Sequence, residues 1–391
     1  MECPGFKAAG VAAGLKKDGR KDLGIIFSEV PANVAGVFTK NSVQAACISL
    51  CKKRIESGKA QAIIANSGNA NCCTGKNGMR DTMLMSEYIS QGLDLSEEMV
   101  FVASTGVIGV PLPVDLIRSA MPDLIGSLSG YGFADFAEAV MTTDTFRKMS
   151  SRQGIHDGKK FTVIGVAKGS GMIHPDMATM LCFVCSDIDA PPEMLQTMLA
   201  SSVHDSFNRI TVDGDTSTND MVLLMANGLS GVRLNSNSDM DVFQKELDVV
   251  LKDLARQIVK DGEGATKLVE IEVKGAQSDS DARLVADTVA NSNLVKTAFF
   301  GQDANWGRII AAAGRAGAKL DQDKIDIYFD GIEIVSCGVF SGNDAEREAT
   351  KILEKPEFII TIDLNIGQGK ASVLTCDFSV EYVKINADYR T

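Results

Sequence analysis

Short apolar runs of strand length alternate with amphipathic helical segments along most of this sequence, and that alternation limits the fold more than any other feature. No motif recurs at a period of about 20 to 50 residues, so a solenoid of stacked repeats is excluded. The alternation predicts a mixed α/β or α+β architecture. With 391 residues, of which 45% are hydrophobic, the chain can bury one large core or two ordinary ones.

The clearest predicted helix spans residues 241–260, where apolar residues recur at steps of three and four and Gly262 follows as a stop signal. Most of the predicted strands crowd toward the C-terminus, which favours antiparallel sheet there. Further helices are predicted at 79–92, 113–121, 134–141, 192–206, 281–291 and 343–354. Strands are predicted at 161–167, 180–186, 268–274, 325–330, 332–338, 357–363, 370–376 and 379–385.

The charge balance argues against nucleic acid as a partner. The chain has 51 acidic and 39 basic residues and a formal net charge of -12, which would repel a phosphate backbone. No apolar segment approaches the about 18 residues of a membrane span, and the first residues lack the basic stretch and apolar run of a secretion signal. We therefore expect a soluble cytoplasmic protein that acts on small molecules and contacts neither nucleic acid nor membrane.

The nine cysteines do not resemble a disulfide framework. Their number is odd and they are spread thinly from Cys3 to Cys376, which fits a reducing compartment. The one metal-like spacing, Cys182 and Cys185, has no second pair or nearby histidine to complete a tetrahedral site. We interpret both as packing residues of a buried strand and predict no metal. The three histidines are far apart in sequence, which weakens a Ser-His-Asp or Cys-His arrangement.

Motifs for nucleotide binding are missing as well. Lys168-Gly169-Ser170-Gly171 resembles a phosphate loop only superficially, because its lysine precedes the glycines, and no dinucleotide-binding glycine pattern follows a strand. A Gly-x-Ser-x-Gly nucleophile elbow is also absent. The sequence therefore predicts no ATP, NAD or other cofactor, and no hydrolase serine.

Polar, glycine-containing loops follow several of the apolar segments and are richer than turns require. Catalytic groups are commonly presented on such loops, although Gly, Asn and Asp also serve ordinary turns. The loops are Asn66-Ser67-Gly68-Asn69-Ala70-Asn71, Ser104-Thr105-Gly106, Thr142-Thr143-Asp144-Thr145, Lys168-Gly169-Ser170-Gly171, Gly214-Asp215-Thr216-Ser217-Thr218-Asn219-Asp220 and Gly262-Glu263-Gly264.

Thr179 is the candidate nucleophile. It follows the small residue Ala178 at the start of an apolar strand, so its hydroxyl could attack the preceding carbonyl and form an ester by an N-to-O acyl shift. Hydrolysis would leave Thr179 as a new N-terminus. Its α-amine, whose ordinary pKa is about 7.7 to 8.0, would then activate the adjacent Oγ without any histidine. From the local sequence alone, a packing role at a strand start is the ordinary alternative.

Taken together, these motifs are similar to those of the ornithine acetyltransferases, the glutamate N-acetyltransferases of the cyclic arginine pathway. The similarity extends nearly from end to end. One departure is His174-Pro175-Asp176, where the family more often has Pro-Asn before Met-Ala-Thr, and it leaves the Ala178-Thr179 junction intact. The matching motifs are Gly5-Phe6-Lys7-Ala8-Ala9-Gly10, Ala35-Gly36-Val37-Phe38-Thr39-Lys40-Asn41, Asn66 to Asn71, Lys168-Gly169-Ser170-Gly171-Met172-Ile173, Ala178-Thr179-Met180-Leu181, Asp213 to Asp220 and Asn305-Trp306-Gly307-Arg308.

The resemblance implies that the chain cleaves itself between Ala178 and Thr179. Residues 1–178 would form an α chain that carries the oxyanion hole, Thr105 and Gly106. Residues 179–391 would form a β chain that starts with the nucleophile. Thr179 would take the acetyl group of N-acetylornithine as an ester and pass it to glutamate, so that ornithine and N-acetylglutamate are released.

The family's substrate-binding positions carry over to six residues of this chain. Lys168 would bind a substrate α-carboxylate, and Glu263 would bind an ammonium group or assist proton transfer. The alignment favours Thr142 over its neighbour Thr143 for the position that faces the substrate. The six implied residues are Thr142, Lys168, Thr179, Glu263, Asn386 and Thr391.

The resemblance also implies a fold and an assembly. The fold would be a four-layer α-β-β-α sandwich of the ornithine acetyltransferase and self-processing aminopeptidase type, similar to N-terminal-nucleophile hydrolases, and the assembly an α2β2 heterotetramer. Some family members also accept acetyl-CoA as a donor, and the sequence does not decide whether this chain does. Two alternatives stay open: a self-processing aminopeptidase or amidase that uses water as acceptor, and an uncleaved amino-acid-binding or scaffold protein.

Overall fold

The computed structural model describes residues 2–174 and 180–388, which form two compact units. The first unit contains the described residues up to 208 together with 215–258, and the second contains 209–214 and the described residues from 259 onward. Each unit combines a β-sheet with helices. The predicted mixed α/β class is therefore confirmed.

The first unit is built on a mixed sheet whose strand order is β4-β3-β2-β8-β7-β6-β5, with β1 paired to β2. Strands β3 and β4 are parallel, as are β7 and β8, whereas β8 pairs with β2 and β7 with β6 in antiparallel fashion. The strands are β1 (Phe6–Val11), β2 (Leu23–Phe38), β3 (Lys59–Asn66), β4 (Val100–Ser104), β5 (Lys148–His156), β6 (Lys159–Lys168), β7 (Leu181–Ser186) and β8 (Met221–Ala226).

Helices pack on both faces of this sheet. The helices that the first unit contains wholly or mostly are α1 (Ala46–Arg54), α2 (Gly75–Leu93), α3 (Val114–Gly126), α4 (Phe133–Val140), α5 (Pro192–His204) and α6 (Asn237–Lys260). On one face, the ring of Phe136 on α4 meets Phe183 of β7 edge-on at 5.4 Å. On the other face, α6 lies against β6, where Gly165 leaves room for Val250 and Leu254.

The second unit contains a smaller sheet of order β12-β11-β10-β13-β9-β14. Most of its pairs are antiparallel, as predicted for the C-terminal part of the chain, but β13 and β9 are parallel. Its strands are β9 (Leu268–Ala276), β10 (Asp326–Phe329), β11 (Ile332–Ser336), β12 (Val339–Phe340), β13 (Glu357–Asp363) and β14 (Gly369–Cys376). Its helices are α7 (Asp279–Ala290), α8 (Asn293–Phe300), α9 (Trp306–Gly314), α10 (Asn343–Leu353) and α11 (Val380–Asp388).

The strand predicted at 379–385 is wrong, because the chain forms helix α11 there. Its β-branched residues suggested a strand, but Ser379 acts as a helix cap: its Oγ accepts a hydrogen bond from the backbone N–H of Tyr382 at 3.3 Å. Val380 and Val383 are both exposed and lie on the same side of this helix. A local cap therefore overrides the strand propensity of the side chains.

The sequence also predicts no membrane-spanning segment and no metal site. Of the helices in the described residues, none combines the length and apolar character that crossing a membrane requires. Residues 2–174 and 180–388 also contain no group of three or more His, Cys, Asp or Glu side chains placed to hold a metal ion. Cys182 and Cys185 are free, buried residues of β7, which confirms the packing interpretation.

Candidate active site

Thr105 and Gly106 lie directly after β4, at the edge of the sheet where the polar loop 66–71 follows β3. Parallel pairing sets Asn66 beside Ser104, so the two loops leave neighbouring strands at the same edge. Two further contacts join the loops: the N–H of Thr105 donates to the carbonyl of Asn66 at 3.0 Å, and Asn69 forms an isolated bridge with Thr105. The sequence alone did not reveal this pairing of the two loops.

Gly106 is a glycine for a steric reason. Its φ is +132°, and a Cβ added there would lie 2.4 Å from the carbonyl carbon of Gly68 and 2.5 Å from the amide nitrogen of Asn69. Within the described residues, the Gly106 N–H makes no hydrogen bond. The two loops therefore approach closely at Gly106, and the Gly106 N–H is a backbone donor without a partner among the described residues.

The hydroxyl of Thr105 is the second donor at this edge. The backbone N–H of Thr105 already donates to the carbonyl of Asn66, so only the Thr105 side chain can donate a hydrogen bond to a ligand. Lys168, at the end of β6, donates from Nζ to Thr105 Oγ1 at 3.3 Å, and both residues are buried. Because an ammonium only donates, Thr105 Oγ1 is the acceptor of this bond and keeps its hydrogen for another partner. The arrangement can stabilise negative charge on an oxygen near Gly106.

Asp144 organises the loop that carries Thr142. Its carboxylate accepts hydrogen bonds from Lys148 Nζ at 2.6 Å, the Gly169 N–H at 2.8 Å and the Thr142 N–H at 2.9 Å. Burial by itself would raise the pKa of the Asp144 carboxyl, but the charges of Lys148 and Lys168, with these hydrogen bonds, lower it to about 2. Asp144 is therefore an anion that ties the loop to the end of β6.

The two adjacent threonines of this loop differ in their contacts. Thr143 Oγ1 is hydrogen-bonded to Ser170 Oγ at 2.7 Å, and Ser170 is fully buried. The hydroxyl of Thr142 makes no hydrogen bond to any described part of the chain. The hydroxyl of Thr142 is thus the one available to a ligand.

Glu263 and Asn386 both belong to the second unit. Glu263 is buried in the loop between α6 and β9, and its Oε2 accepts a hydrogen bond from Asn386 Nδ2 at 2.8 Å. Asn386 lies on α11, where its Nδ2 also donates to the carbonyl of Tyr382 at 3.0 Å. The structure brings these two predicted residues together, and Asn386 holds one oxygen of the Glu263 carboxylate.

Three predicted site residues, Ala178, Thr179 and Thr391, lie outside the described residues. The predicted cut between Ala178 and Thr179 follows Ile173 and His174 and precedes β7. Ile173 forms an isolated bridge with Thr216, whose Oγ1 donates to the carbonyl of His174 at 3.3 Å. Thr216 therefore contacts the described residues that precede the predicted nucleophile.

Comparison with known proteins decides the family. The model of the ArgJ family matches residues 7–391. The chain belongs to the ArgJ family. A relative from Geobacter sulfurreducens, named arginine biosynthesis bifunctional protein ArgJ, is 50% identical over 393 residues and covers 100% of both chains.

Two solved structures also match this chain. The arginine biosynthesis bifunctional protein ArgJ of Bacillus halodurans is 45% identical, with a TM-score of 0.51, and the match covers 53% of this chain and 98% of that chain. The ornithine acetyltransferase of Mycobacterium tuberculosis, solved with ornithine, is 35% identical, with a TM-score of 0.40, over 44% of this chain and 93% of that chain.

Asn219 is a residue of this ArgJ-family chain whose role sequence reasoning missed. It lies in the 213–220 loop, and its Nδ2 donates to the carbonyls of Ala70 at 2.7 Å and Ser104 at 2.8 Å. One buried amide therefore ties three polar loops together. Their repeated Asn, Asp and Gly content was the available signal, but their mutual contact depends on long-range topology.

Lys16 was also missed, because it reads as one of several surface charges in a basic stretch. In this ArgJ-family chain its Nζ donates to the carbonyls of Met141 at 2.7 Å and Lys21 at 2.9 Å, and its Cγ lies 3.3 Å from where a Cβ on Gly68 would be. Burial, followed by the charge of Arg20, lowers the pKa of the Lys16 ammonium to about 8. Lys16 thus supports the residue before Thr142.

Proposed function

We propose that this protein transfers the acetyl group of N-acetylornithine to glutamate, giving ornithine and N-acetylglutamate, through an acetyl ester on Thr179. Membership of the ArgJ family assigns it to arginine biosynthesis as an acetyltransferase with small-molecule substrates. The observation that carries the mechanism is the pair of donors after β4. They are the N–H of Gly106, which makes no hydrogen bond within residues 2–174 and 180–388, and the hydroxyl of Thr105, which accepts a hydrogen bond from Lys168.

The chemistry has two half-reactions. The Thr179 α-amine accepts the Oγ proton as Oγ attacks the acetyl carbonyl, and the Thr105 and Gly106 donors stabilise the oxyanion. Collapse of the tetrahedral intermediate breaks the amide bond, and the departing ornithine nitrogen takes the proton. The glutamate amine then attacks the ester, and Oγ leaves as the hydroxyl.

Substrate recognition uses groups of opposite charge, since both amino acids have a carboxylate and an ammonium group. We assign the hydroxyl of Thr142 and the cation of Lys168 to polar and anionic substrate groups, and Glu263 with Asn386 to a cationic one. Thr391 is assigned to the same site by resemblance. One amide is exchanged for another, so the transfer is near thermoneutral and needs neither ATP nor any other cofactor.

The nucleophile requires self-cleavage between Ala178 and Thr179, and we propose that the two products assemble as an α2β2 heterotetramer in the cytoplasm. The match with the Bacillus halodurans chain supports cleavage. It covers 98% of that chain but only 53% of this one, which is about the share that residues 179–391 represent. We further propose that acetyl-CoA serves as a second donor to the same threonine, in keeping with the word bifunctional in the relative's name.

The decisive experiment separates transfer from hydrolysis. Purified protein is incubated with N-acetylornithine, with and without glutamate, and ornithine, acetate and N-acetylglutamate are quantified by mass spectrometry. Transfer predicts glutamate-dependent ornithine release matched by N-acetylglutamate, with ping-pong kinetics. Equal ornithine release without glutamate, together with acetate, would identify an amidase instead. A parallel assay with acetyl-CoA and glutamate tests the second donor.

A further inference from the structure

The loop that carries Glu263 is joined to the start of helix α11 by several contacts within the second unit. Both segments contain residues that the proposed function assigns to substrate binding, Glu263 and Asn386, and the inference below rests on that proposal. The hydrogen bond between these two side chains is 2.8 Å long. A second set of contacts, made by residues with no assigned role, fixes how the loop and the helix meet.

Gly264 permits the close approach. Its φ is +67°, and a Cβ added there would lie 2.5 Å from the backbone nitrogen of Tyr382 and 2.7 Å from Ser379 Oγ. A side chain could fit only if the first turn of α11 moved away, and the positive φ would add backbone strain. The loop and the helix are therefore in direct backbone contact immediately after Glu263.

Ser379 has two simultaneous roles at this contact. Its Oγ accepts from the Tyr382 N–H at 3.3 Å and so caps α11, and it donates to the carbonyl of Gly264 at 2.6 Å. Ser379 is buried, so neither bond competes freely with water. The Ser379 hydroxyl thus links Gly264, the residue after Glu263, to the first turn of α11, the helix that carries Asn386.

Asp377 fixes the far end of the same loop. Its Oδ1 accepts from the N–H groups of Thr266 at 2.7 Å and Lys267 at 2.9 Å, and its Oδ2 accepts from Thr266 Oγ1 at 2.5 Å. The strand end before it is also held, since buried Lys296 donates from Nζ to the carbonyl of Cys376 at 2.5 Å. The backbone next to Asp377 is therefore held in place by Lys296, while the Asp377 side chain binds the loop.

We propose that Asp377 and Ser379 form a clamp that presents Glu263 and Asn386 to the substrate as one preorganised pair. Neither clamp residue is assigned a contact with the substrate, so both are positioning residues. Loosening the clamp lets the Glu263 loop and α11 move independently, so the substrate must order them on binding. The effect belongs to binding of the cationic group of the substrate.

The test compares Ser379→Ala with Ser278→Ala. Ser278 caps α7 in the same unit by accepting the Asp281 N–H at 3.1 Å, so its loss removes a matched cap in a helix away from the Glu263 loop. We expect Ser379→Ala to raise KM for N-acetylornithine about fivefold with kcat little changed, and Ser278→Ala to change neither. Asp377→Asn, which keeps the shape but loses an acceptor for Thr266 Oγ1, should raise KM in the same direction.

Amide hydrogen exchange on the full-length protein supplies a readout that does not depend on activity. Ser379→Ala should speed exchange in residues 380–388, and Ser278→Ala in α7. Kinetics of Ser379→Ala equal to those of Ser278→Ala, or unchanged exchange in residues 380–388, would overturn the clamp. Absence of transfer in the wild-type protein would instead overturn the proposed function, while the exchange data would still report on the clamp.

Discussion

In the proposed mechanism the N–H of Gly106 serves as an oxyanion donor, and its position depends on the close approach of the loops after β3 and β4. Gly106→Ala would place a Cβ 2.4 Å from the carbonyl carbon of Gly68, so the loops must separate and the donor must move. We expect kcat for acetyl transfer to fall about 100-fold or more. Gly109→Ala is the matched control, because Gly109 also has a positive φ of +82° but no atom within 4 Å of an added Cβ. Equal losses in the two variants would contradict the steric argument.

Thr179 lies outside the described residues, yet its proposed role is directly testable. Thr179→Ala removes the hydroxyl, so a denaturing gel should show one intact chain and the assay no transfer. Thr179→Ser keeps a hydroxyl and should retain both cleavage and transfer at reduced rates. Normal cleavage of the alanine variant would remove Thr179 from the nucleophile role.

Asp144 is a buried anion whose value to stability depends on pH. Asp144→Asn should lower the free energy of unfolding at pH 7 by about 3 kcal/mol, because Lys148 loses its buried partner. Since the folded pKa of about 2 is below the ordinary 3.8, the wild-type advantage is full above about pH 4 and shrinks as pH falls toward 2. Denaturant unfolding of both proteins from pH 7 to pH 3 measures this.

Asp115→Asn provides the exposed comparison for Asp144. Asp115 pairs with Arg118 at 3.3 Å, and its side chain is 84% exposed. We expect its loss to change the free energy of unfolding by less than about 1 kcal/mol at any of these pH values. A cost for Asp144→Asn no larger than that of Asp115→Asn would show that the buried ion pair contributes little.

At the scale of elements, the packing of α6 on β6 depends on Gly165. A Cβ there would lie 2.7 Å from Leu254 Cδ1 and 2.9 Å from Val250 Cγ1, so Gly165→Ala overpacks this contact. We expect it to lower the free energy of unfolding by about 1 to 3 kcal/mol. Gly126→Ala, at the end of α3 with no atom within 4 Å, should be neutral or stabilising. Thermal or denaturant unfolding distinguishes them, and a stabilised Gly165→Ala variant would refute the close-packing argument.

Which elements could be predicted follows from how each one is buried. The helix predicted at 241–260 is confirmed within α6 because one of its faces is buried and the other exposed, which produces a visible period. Strand β2 was missed, since it extends over sixteen residues, contains Pro31 and is largely buried without regular alternation. Residues 379–385 were assigned to a strand because the cap made by Ser379 is a weaker sequence signal than its four β-branched or aromatic neighbours, Val380, Tyr382, Val383 and Ile385.

Some features of the candidate site could be predicted from the sequence and others could not. Thr105, Gly106, Lys168, Glu263 and Asn386 could be named because motifs match a family, and motif matching needs no geometry. The contacts that Asn219 makes with Ala70 and Ser104 could not, because they join segments more than 100 residues apart in sequence. Hydrogen bonds of this kind depend on strand order, and strand order is not a local property.

At the scale of the whole molecule, the proposed cut does not separate the chain into independent parts. Strands β7 and β8 follow Thr179 in sequence but lie between β2 and β6, which precede it. Six residue pairs join β8 to β2 and six join β7 to β6. Each proposed fragment therefore completes a sheet that the other could not form alone.

This interleaving predicts how the cleaved protein behaves. A denaturing gel should resolve two fragments, whereas native mass spectrometry should detect them only together, with two copies of each for the proposed α2β2 assembly. Dilution should not separate them, because dissociation would expose the buried faces and edges of four strands. The uncleaved Thr179→Ala variant is the control for shape and mass. Free fragments at neutral pH without denaturant would contradict the interleaved sheet.

The position of β7 and β8 also means that the protein would fold as one chain but, after the proposed cleavage, would have to refold from two. In the uncut chain β6 and β7 are joined by a covalent connection, so their pairing during folding is intramolecular. Once the proposed cleavage removes that connection, a denatured molecule becomes two chains that must find each other, and refolding acquires a dependence on concentration. The lifetime of the working enzyme is then governed by its rate of unfolding rather than by its equilibrium stability.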